Sequence, residues 1–525
     1  MSSYPQNFAS NRLKDVTRGS ILVAACFTAS AYAFDSGSTG ADGEFKPTAN
    51  IEVPLPPSGV LNYTSINIPA NVTVTFSKNA ANTPVYLLVS GDATIAGTID
   101  IRGKNGASVG AHGDGLLDDD GWPGEGGPGG FAGGYGGKPK RGDIPTAQTQ
   151  GGNGLGPGGG LGGKDGGEGC ANTPRYYPNQ GTGGAYAEDA YANRIVYQCA
   201  EKDRIPAAYG YGSRTLQPLI GGSGGGGGRG GAMSGINVSH GSGGGGGGGA
   251  ILIASSGLLN ITGQILADGG QAGGVVGNNG DGGHGGGGSG GAIRLVATQI
   301  MGSGKLSASG GCLTVYNGMA PTECGWTGTY GMGGGTPGRI RLEAEQMNFA
   351  GTATPKASND VPAPVSTSNA PQLRIASVAG QTVPAEPVGL EDLILPEETT
   401  GPVNIVFETT RIPPGNTVQF RLIPVYGEKI ALSSTPITGS LAAGSASVTV
   451  PTLPQGNSTL EASVTYTVDI VASGPDLSRF ANNETVNKVH LMIALAGERT
   501  AILETASGKR FSIPYDTLRA AGFQG

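Results

Sequence analysis

A short apolar cassette occurs four times in this chain of 525 residues, at 84–103, 250–269, 292–310 and 339–355. A unit that recurs along a chain builds a stacked architecture, in which each copy buries the face of its neighbour. Within a cassette, apolar and polar residues alternate over three to five positions, and single glycines mark the corners. An ordinary β-sandwich does not explain near-identical cassettes. The pattern therefore predicts an all-β fold with a right-handed parallel β-helix as its core.

The first two cassettes align without a gap, which fixes the expected neighbours in the stack. The aligned pairs are Val85 with Ile251, Leu87 with Ile253, Ile95 with Ile261, Gly97 with Gly263, and Ile99 with Ile265.

Glycine-rich tracts at 103–249, 269–291 and 310–338 separate the cassettes, and glycine makes up 100 of the 525 residues. Each tract leaves after the third strand of one cassette and returns before the first strand of the next, so all three are expected on one side of the stack. Ordering a glycine costs about 0.5 to 1 kcal/mol more than ordering an alanine. The tracts are therefore either flexible linkers or a packing that requires glycine, such as side-by-side polyproline-II helices. We favour the bundle.

The composition changes after the fourth cassette. Residues 352–370 are rich in Pro, Ser, Thr and Ala and are predicted to be a linker. Alternating strands and turn signals in 371–480 predict an immunoglobulin-like β-sandwich. Residues 481–525 are predicted to form a small C-terminal β module that ends in a helix. The preceding glycine-rich β-helix domain is assigned to 34–351.

The N-terminal 33 residues have the pattern of a signal peptide. Basic residues precede the apolar run 21–33, which ends in the small-x-small cleavage pattern Ala31-Tyr32-Ala33. Cleavage there predicts an extracellular or cell-surface protein. A lipoprotein cleaved before Cys26 is the alternative. No later apolar run reaches the roughly 20 residues of a membrane span, so no transmembrane segment is expected.

The net charge of the chain limits which classes of binding partner are expected. The net charge is −7 and charged residues are 14% of the chain. Nucleic-acid binding requires clustered Lys and Arg, which are missing from this sequence, so a nucleic-acid partner is not expected. The partners expected of an exported rod-like protein are extracellular polysaccharide or surface proteins, with self-association as a further option.

Four cysteines follow Cys26, an even number in a chain predicted to enter an oxidising compartment. They are predicted to form disulfides, with free structural thiols as the alternative. Three pairings are possible, and the shortest loops favour Cys170 with Cys199 and Cys312 with Cys324.

Two groups of residues are candidates for ligand contact. The acidic residues Asp114, Asp118, Asp119 and Asp120 offer oxygen ligands for calcium, although solvated loop acids without the spacing of a calcium loop are the favoured interpretation. No cofactor is predicted, with calcium as the alternative. A set of tyrosines in the long insertion is a candidate surface for sugars or other ligands, unless it packs the insertion's own core. These are Tyr176, Tyr177, Tyr186, Tyr191 and Tyr197.

Catalysis by such a fold requires acids gathered on one face of consecutive coils. The cassettes offer only scattered acids, at Asp92, Asp100, Asp268, Glu343 and Glu345, and they form no repeating column. We therefore predict a non-catalytic structural or adhesive protein of an extracellular matrix or envelope layer. A carbohydrate-active β-helix enzyme, a polysaccharide lyase or hydrolase, is the alternative.

Three segments carry a resemblance to a known family. They are FDSGSTGADGEF at 34–45, NYTSINIPANVTVTFSKNAANTPVYLLVSGDATIAGTID at 62–100, and GGGGSGGAIRLVA at 285–297. They resemble uncharacterised, glycine-rich exported proteins of Gram-negative bacteria with parallel β-helix-like repeats. The resemblance implies a secreted or surface β-helical protein and brings no activity or functional residue with it.

Overall fold

The computed structural model describes fifteen stretches of the chain, and strands dominate them. Residues 1–33, where the signal peptide is predicted, lie outside the described residues. The described stretches are 34–109, 121–139, 149–164, 180–191, 206–231, 240–274, 282–312, 333–365, 370–383, 393–396, 398–425, 429–454, 456–470, 475–495 and 499–523.

The strands of the N-terminal part are short, except that the first strand of each of the last three cassettes has 11 or 12 residues. They are β1 Glu44–Phe45, β2 Ile51–Pro54, β3 Val60–Tyr63, β4 Ser65–Ile68, β5 Thr73–Ser77, β6 Val85–Val89, β7 Ala93–Ile95, β8 Thr98–Asp100, β9 Ala190–Tyr191, β10 Pro206–Ala208, β11 Ala250–Ile261, β12 Gln264–Leu266, β13 Ala292–Gly302, β14 Lys305–Ser307, β15 Arg339–Phe349, β16 Thr352–Thr354 and β17 Ser358–Asp360.

The chain alternates between two parallel sheets. One sheet holds β1, β3, β4, β6, β7, β11, β13, β15 and β17, and the other runs in the order β16-β14-β12-β8-β5-β2. Each cassette crosses from the first sheet to the second, for example from β11 to β12 and from β13 to β14. The fold is therefore all-β with parallel sheets, as the sequence predicts at that level.

The register between cassettes follows the sequence alignment. Ile251 lies opposite Val85, Ile261 opposite Ile95, and Ile265 opposite Ile99. These side chains are fully buried in the core between the two sheets. Equivalent side chains stack in columns because parallel pairing in constant register places equal positions above one another.

Two details of this part differ from the sequence prediction. In each of the last three cassettes one continuous strand takes the place of the first two strands of the first cassette. The pairing of β11 with β13 shifts register between Ser255 and Leu258. Residues 352–360, predicted to be linker, form β16 and β17 and extend both sheets. Both strands lie at the edge of their sheet and are largely exposed, which is why they can consist mainly of polar residues.

The described parts of the three glycine tracts lie side by side and share backbone hydrogen bonds. Residues 241–249, the central segment, are the clearest case, because consecutive N–H groups donate to three different neighbours in turn. The N–H groups of 241, 244 and 247 donate to the carbonyls of 137, 134 and 131; those of 242, 245 and 248 to 283, 286 and 289; and those of 243, 246 and 249 to 107, 104 and 101. The hydrogen-bonding direction thus repeats every third residue.

The backbones approach so closely that the tracts require glycine at the contacts. A Cβ added at Gly247 would lie closer than 3.0 Å to backbone atoms of Gly222 and Ser223. A Cβ added at Gly243 would meet the carbonyl of Trp122 in the same way. Ordinary Cβ atoms do not come this near to backbone, so these contacts exclude any side chain.

The C-terminal part contains antiparallel strands. They are β18 Gln372–Val378, β19 Gln381–Thr382, β20 Val403–Thr410, β21 Thr417–Pro424, β22 Ile430–Pro436, β23 Thr438–Gly439, β24 Gly444–Val450, β25 Ser458–Asp469, β26 Val486–Ala494, β27 Arg499–Thr505 and β28 Arg510–Pro514, followed by the helix Tyr515–Ala520.

These strands form a sheet in the order β19-β18-β20-β24-β23 and a second in the order β22-β21-β25-β26-β27-β28. Both sheets contribute to one apolar core, in which the rings of Phe407 and Phe420 lie 6.1 Å apart.

The boundary predicted at residue 480 does not divide this structure. Strand β26 pairs with β25 over seven residue pairs, and Leu491, Leu503 and Leu518 belong to the shared core. The 481–525 stretch is therefore continuous with the larger sheet, because β26 buries its apolar face against the same core as β25. Among the described residues, no helix is long and apolar enough to cross a membrane.

Candidate ligand-binding surface

Five extended segments of the long glycine tract form a layer on the outside of the packed tracts, here called the outer layer. Its segments are 102–108, 121–127, 130–138, 149–155 and 159–164. Neighbouring segments run antiparallel, as the N–H of Ala107 donates to Trp122 O and the N–H of Gly152 donates to Tyr135 O. The layer therefore has a fixed register from one segment to the next.

Side chains leave the outer layer at every third residue. In successive segments they include Asn105, then Trp122 and Glu125, then Tyr135 and Lys138, all of which are exposed. The glycines between them are mostly buried against neighbouring segments. This spacing follows from the three-residue repeat of the backbone, which returns every third position to the same side.

An exposed aromatic pair lies on this layer. Trp122 is 57% exposed and Tyr135 is 38% exposed. Their ring centroids are 6.4 Å apart and the ring planes meet at 64°. The two rings are held opposite one another because the N–H of Gly136 donates to the carbonyl of Gly121. The pair therefore forms an open corner on a rigid backbone.

A shallow pocket lies where the outer layer meets the C-terminal sheets. The junction is bonded, since the N–H of Asn153 donates to Val425 O at 2.7 Å and the N–H of Gly156 donates to the Thr459 hydroxyl at 3.0 Å. The pocket encloses about 410 Å³ including its open mouth. Ligand sites often occupy such junctions between structural units.

The pocket lining combines one exposed ring with charged groups. Tyr209 is 59% exposed, and the Arg421 guanidinium lies 2.5 Å from the carboxylate of Glu461. Lys429 and Leu161 complete this part of the wall. The lining therefore combines one exposed ring with charges of both signs.

The tyrosines predicted as a ligand surface do not form one in the described residues. Tyr186 is fully buried; its hydroxyl donates to Ile220 O at 3.0 Å and its ring packs edge-on against Tyr211 at 4.8 Å. It therefore belongs to the small core that covers the outer face of the nine-stranded sheet, and its side chain does not reach the surface. Tyr191 ends strand β9, while Tyr176, Tyr177 and Tyr197 lie outside the described residues.

The predicted disulfide and calcium residues are described only in part. Cys312 is disulfide-bonded. Its possible partners Cys170, Cys199 and Cys324 lie outside the described residues, as do Asp114, Asp118, Asp119 and Asp120. Within the described residues, no group of three or more His, Cys, Asp or Glu side chains is placed to hold a metal ion.

Three acids of the cassettes are engaged in local hydrogen bonds or ion pairs. Asp92 accepts a hydrogen bond from Leu258 N at 2.8 Å, at the corner between two strands. Asp268 accepts from Ser309 N at 2.7 Å. Burial raises the pKa of Asp100, but the hydrogen bonds and charge of Arg102, at 2.6 Å, together with the charge of Lys104 outweigh it, so the pKa lies below its usual value.

Glu343 belongs to a buried ion cluster on the outer face of the nine-stranded sheet. Its carboxylate accepts two hydrogen bonds from Arg294, both at 3.0 Å, and one from Arg341 at 2.6 Å. Arg341 also contacts Asp360 at 3.0 Å. Glu343 is fully buried and Arg294 is 1% exposed.

The same cluster fastens the segment that leads to the C-terminal sheets. The N–H of Ala363 donates to Glu343 at 2.9 Å, and Arg294 donates to Pro364 O at 3.3 Å. The amide of Gln217 also donates to Pro364 O. Every polar group of Glu343 is thus used to hold the chain in place.

Sequence reasoning missed the exposed aromatics of the outer layer, although the signal was present. Tyr135-Gly-Gly-Lys138 and Leu161-Gly-Gly-Lys164 repeat a side chain at every third position. This spacing is that of a helix with three residues per turn.

Comparison with protein-family models, with curated proteins and with solved structures finds no match for this chain.

Proposed function

We propose that this protein is a secreted or surface-exposed, non-catalytic structural or adhesive component of an extracellular matrix or envelope layer. The observation that carries the proposal is the outer layer, a rigid hydrogen-bonded surface that presents Trp122 and Tyr135 to solvent. Exposed aromatic groups on a rigid support are typical of binding surfaces.

The proposal includes a parallel β-helix as the scaffold. Alternation of the chain between two parallel sheets, with constant register from β8 to β12 and from β12 to β14, supports this interpretation. Stacked coils give the rod-like shape that is useful in a matrix or envelope component.

We further propose that the glycine tracts are a bundle of polyproline-II helices. Support comes from the three-residue repeat of hydrogen-bonding direction in 241–249 and from the close backbone contacts. A polyproline-II helix makes no hydrogen bonds within itself, so its N–H groups are available to its neighbours. The flexible-linker alternative does not account for these bonds.

The two antiparallel sheets of the C-terminal part support an immunoglobulin-like sandwich, enlarged by β26 to β28. Export rests on the basic and apolar pattern of residues 1–33. The disulfide at Cys312 agrees with an oxidising compartment. Extracellular polysaccharide or surface proteins are the proposed partners.

A non-catalytic role is supported by what the cassette acids do. Glu343 is enclosed by two arginines, and Asp92 and Asp268 bind backbone N–H groups at strand corners. A general acid or nucleophile has to reach substrate, and these carboxylates are committed to the fold.

A polysaccharide panel tests the proposal. We expect the purified protein to bind at least one polysaccharide, and to release no new reducing ends over a long incubation. Binding is measured by co-sedimentation and cleavage by a reducing-sugar assay, each with calcium and with a chelator. Catalytic turnover would contradict the proposal and favour the lyase or hydrolase alternative.

A further inference from the structure

We propose that the corner formed by Trp122 and Tyr135 is a binding site for an uncharged sugar residue of a polysaccharide. This inference rests on the proposed adhesive function and names its ligand and its site.

The geometry of the corner is suited to a pyranose ring. A sugar ring has a face of C–H groups and an edge of hydroxyl groups. With ring planes at 64° and centroids 6.4 Å apart, the C–H face can lie on one aromatic ring while the other ring contacts its side. Two coplanar rings would instead suit a longer flat strip.

The support of the corner is rigid. The carbonyl of Trp122 accepts from Ala107 N at 2.8 Å, and that of Tyr135 accepts from Gly152 N at 2.7 Å. Behind them, glycines 243 and 227 pack against these carbonyls so closely that no side chain fits. Aromatic side chains on a fixed backbone lose little conformational entropy when they bind.

The surroundings favour an uncharged ligand. Glu125 and Asn105 are exposed in the same layer, and Lys104 lies beside Glu125, because the Lys104 N–H donates to the Glu125 carbonyl at 2.7 Å. Exposed Lys138 follows Tyr135 by three residues in the next segment. Charges of both signs cancel at a distance, so the surface lacks the single-sign field that draws in a polyanion. Hydroxyl groups can bond to all of these side chains.

The polysaccharide binding of alanine variants tests whether the site lies at this corner. Trp122→Ala and Tyr135→Ala should each weaken binding to a neutral polysaccharide by about tenfold, the loss typical of a central aromatic contact. The probes are dextran, xylan, chitin and a β-1,3-glucan, with alginate as the anionic comparison. Leu441→Ala is the control, since Leu441 is 54% exposed in another place, and it should bind as the unchanged protein does. Tyr209→Ala tests the pocket at the C-terminal sheets as a rival site.

Fluorescence gives a second measurement that does not depend on truncating the pair. The chain has two tryptophans, so Trp326→Phe leaves Trp122 as the reporter. A saturable change in its emission is expected with the polysaccharide that binds, and none with alginate.

The outcomes separate this inference from the proposed function. Neutral polysaccharide binding that survives both alanine variants, or that is lost in Tyr209→Ala alone, overturns the site and leaves adhesion standing. Binding confined to alginate or to a protein overturns the sugar assignment. Cleavage of the polysaccharide overturns the proposed function itself.

Discussion

Replacement of Gly247 by alanine is expected to destabilise the packed glycine tracts by about 3 kcal/mol or more, the upper range for overpacking of a close-packed interior. The added methyl group would meet the backbone of Gly222 and Ser223. It cannot be accommodated by a rotamer change, because those atoms belong to segments held by their own hydrogen bonds. Gly247 itself donates to Phe131 O and accepts from Gly127 N, so displacement breaks further bonds.

Gly334→Ala is the matched control for this prediction. Gly334 lies in the same packed tracts, yet among the described residues a Cβ there would have Gly311 O at 3.6 Å as its only near neighbour, an ordinary contact. The Gly334→Ala variant should be as stable as the unchanged protein or slightly more stable, since alanine restricts the conformations of the unfolded chain. Urea unfolding and amide exchange over 221–230 and 241–249 measure both variants. Equal exchange protection in the two would contradict the close-packing argument.

Glu343→Ala should cost about 3 to 5 kcal/mol, the range found when one partner of a buried ion pair is removed. The change leaves the guanidinium of Arg294 buried at 1% exposure without its carboxylate. It also removes the acceptor for Ala363 N, so the segment after β17 should be released. Urea unfolding measures the free energy, and limited proteolysis near residues 361–365 measures the release.

The double variant Arg294→Met/Glu343→Leu separates the effect of lost charge pairing from that of lost volume. It removes both partners and leaves Arg341 with Asp360 at 3.0 Å. Replacement of a buried ion pair by apolar side chains is often close to neutral, so most of the lost stability should return. If the double variant is as unstable as Glu343→Ala, the ion cluster stabilises the fold by more than the cancellation of its own buried charges.

Much of the parallel part could be predicted because its side chains repeat. The sequence alignment that pairs Ile95 with Ile261 and Ile99 with Ile265 gives the same pairs as the register of the sheets. Side chains at equivalent positions stack because successive coils have equal length. The strand at 417–424 was also predictable, since its burial alternates along most of its length. Strand β22 is harder to predict, because its core-facing positions include Ser434, which a hydropathy pattern does not mark.

The arrangement of the glycine tracts could not be derived from sequence in the same way. A run such as 243–249 has no side chains, so nothing in it distinguishes one register or one partner from another. The structure resolves this through backbone groups alone, with Gly245 bonding to Gly286 and Gly246 to Lys104. The exposure of individual aromatics could not be predicted for a related reason: whether Tyr186 or Tyr135 faces solvent depends on how these tracts pack.

The central segment has a consequence for heat capacity. Its nine residues are ordered mainly by burying peptide groups, whereas the core between the parallel sheets is ordered by burying aliphatic side chains. On unfolding, newly hydrated apolar surface raises the heat capacity by about 0.45 cal/mol/K per Å², while polar surface lowers it by about 0.26. The glycine tracts therefore add little to the heat-capacity change of unfolding for their length. Their stability varies less with temperature than that of the aliphatic core, and it weakens less on cooling.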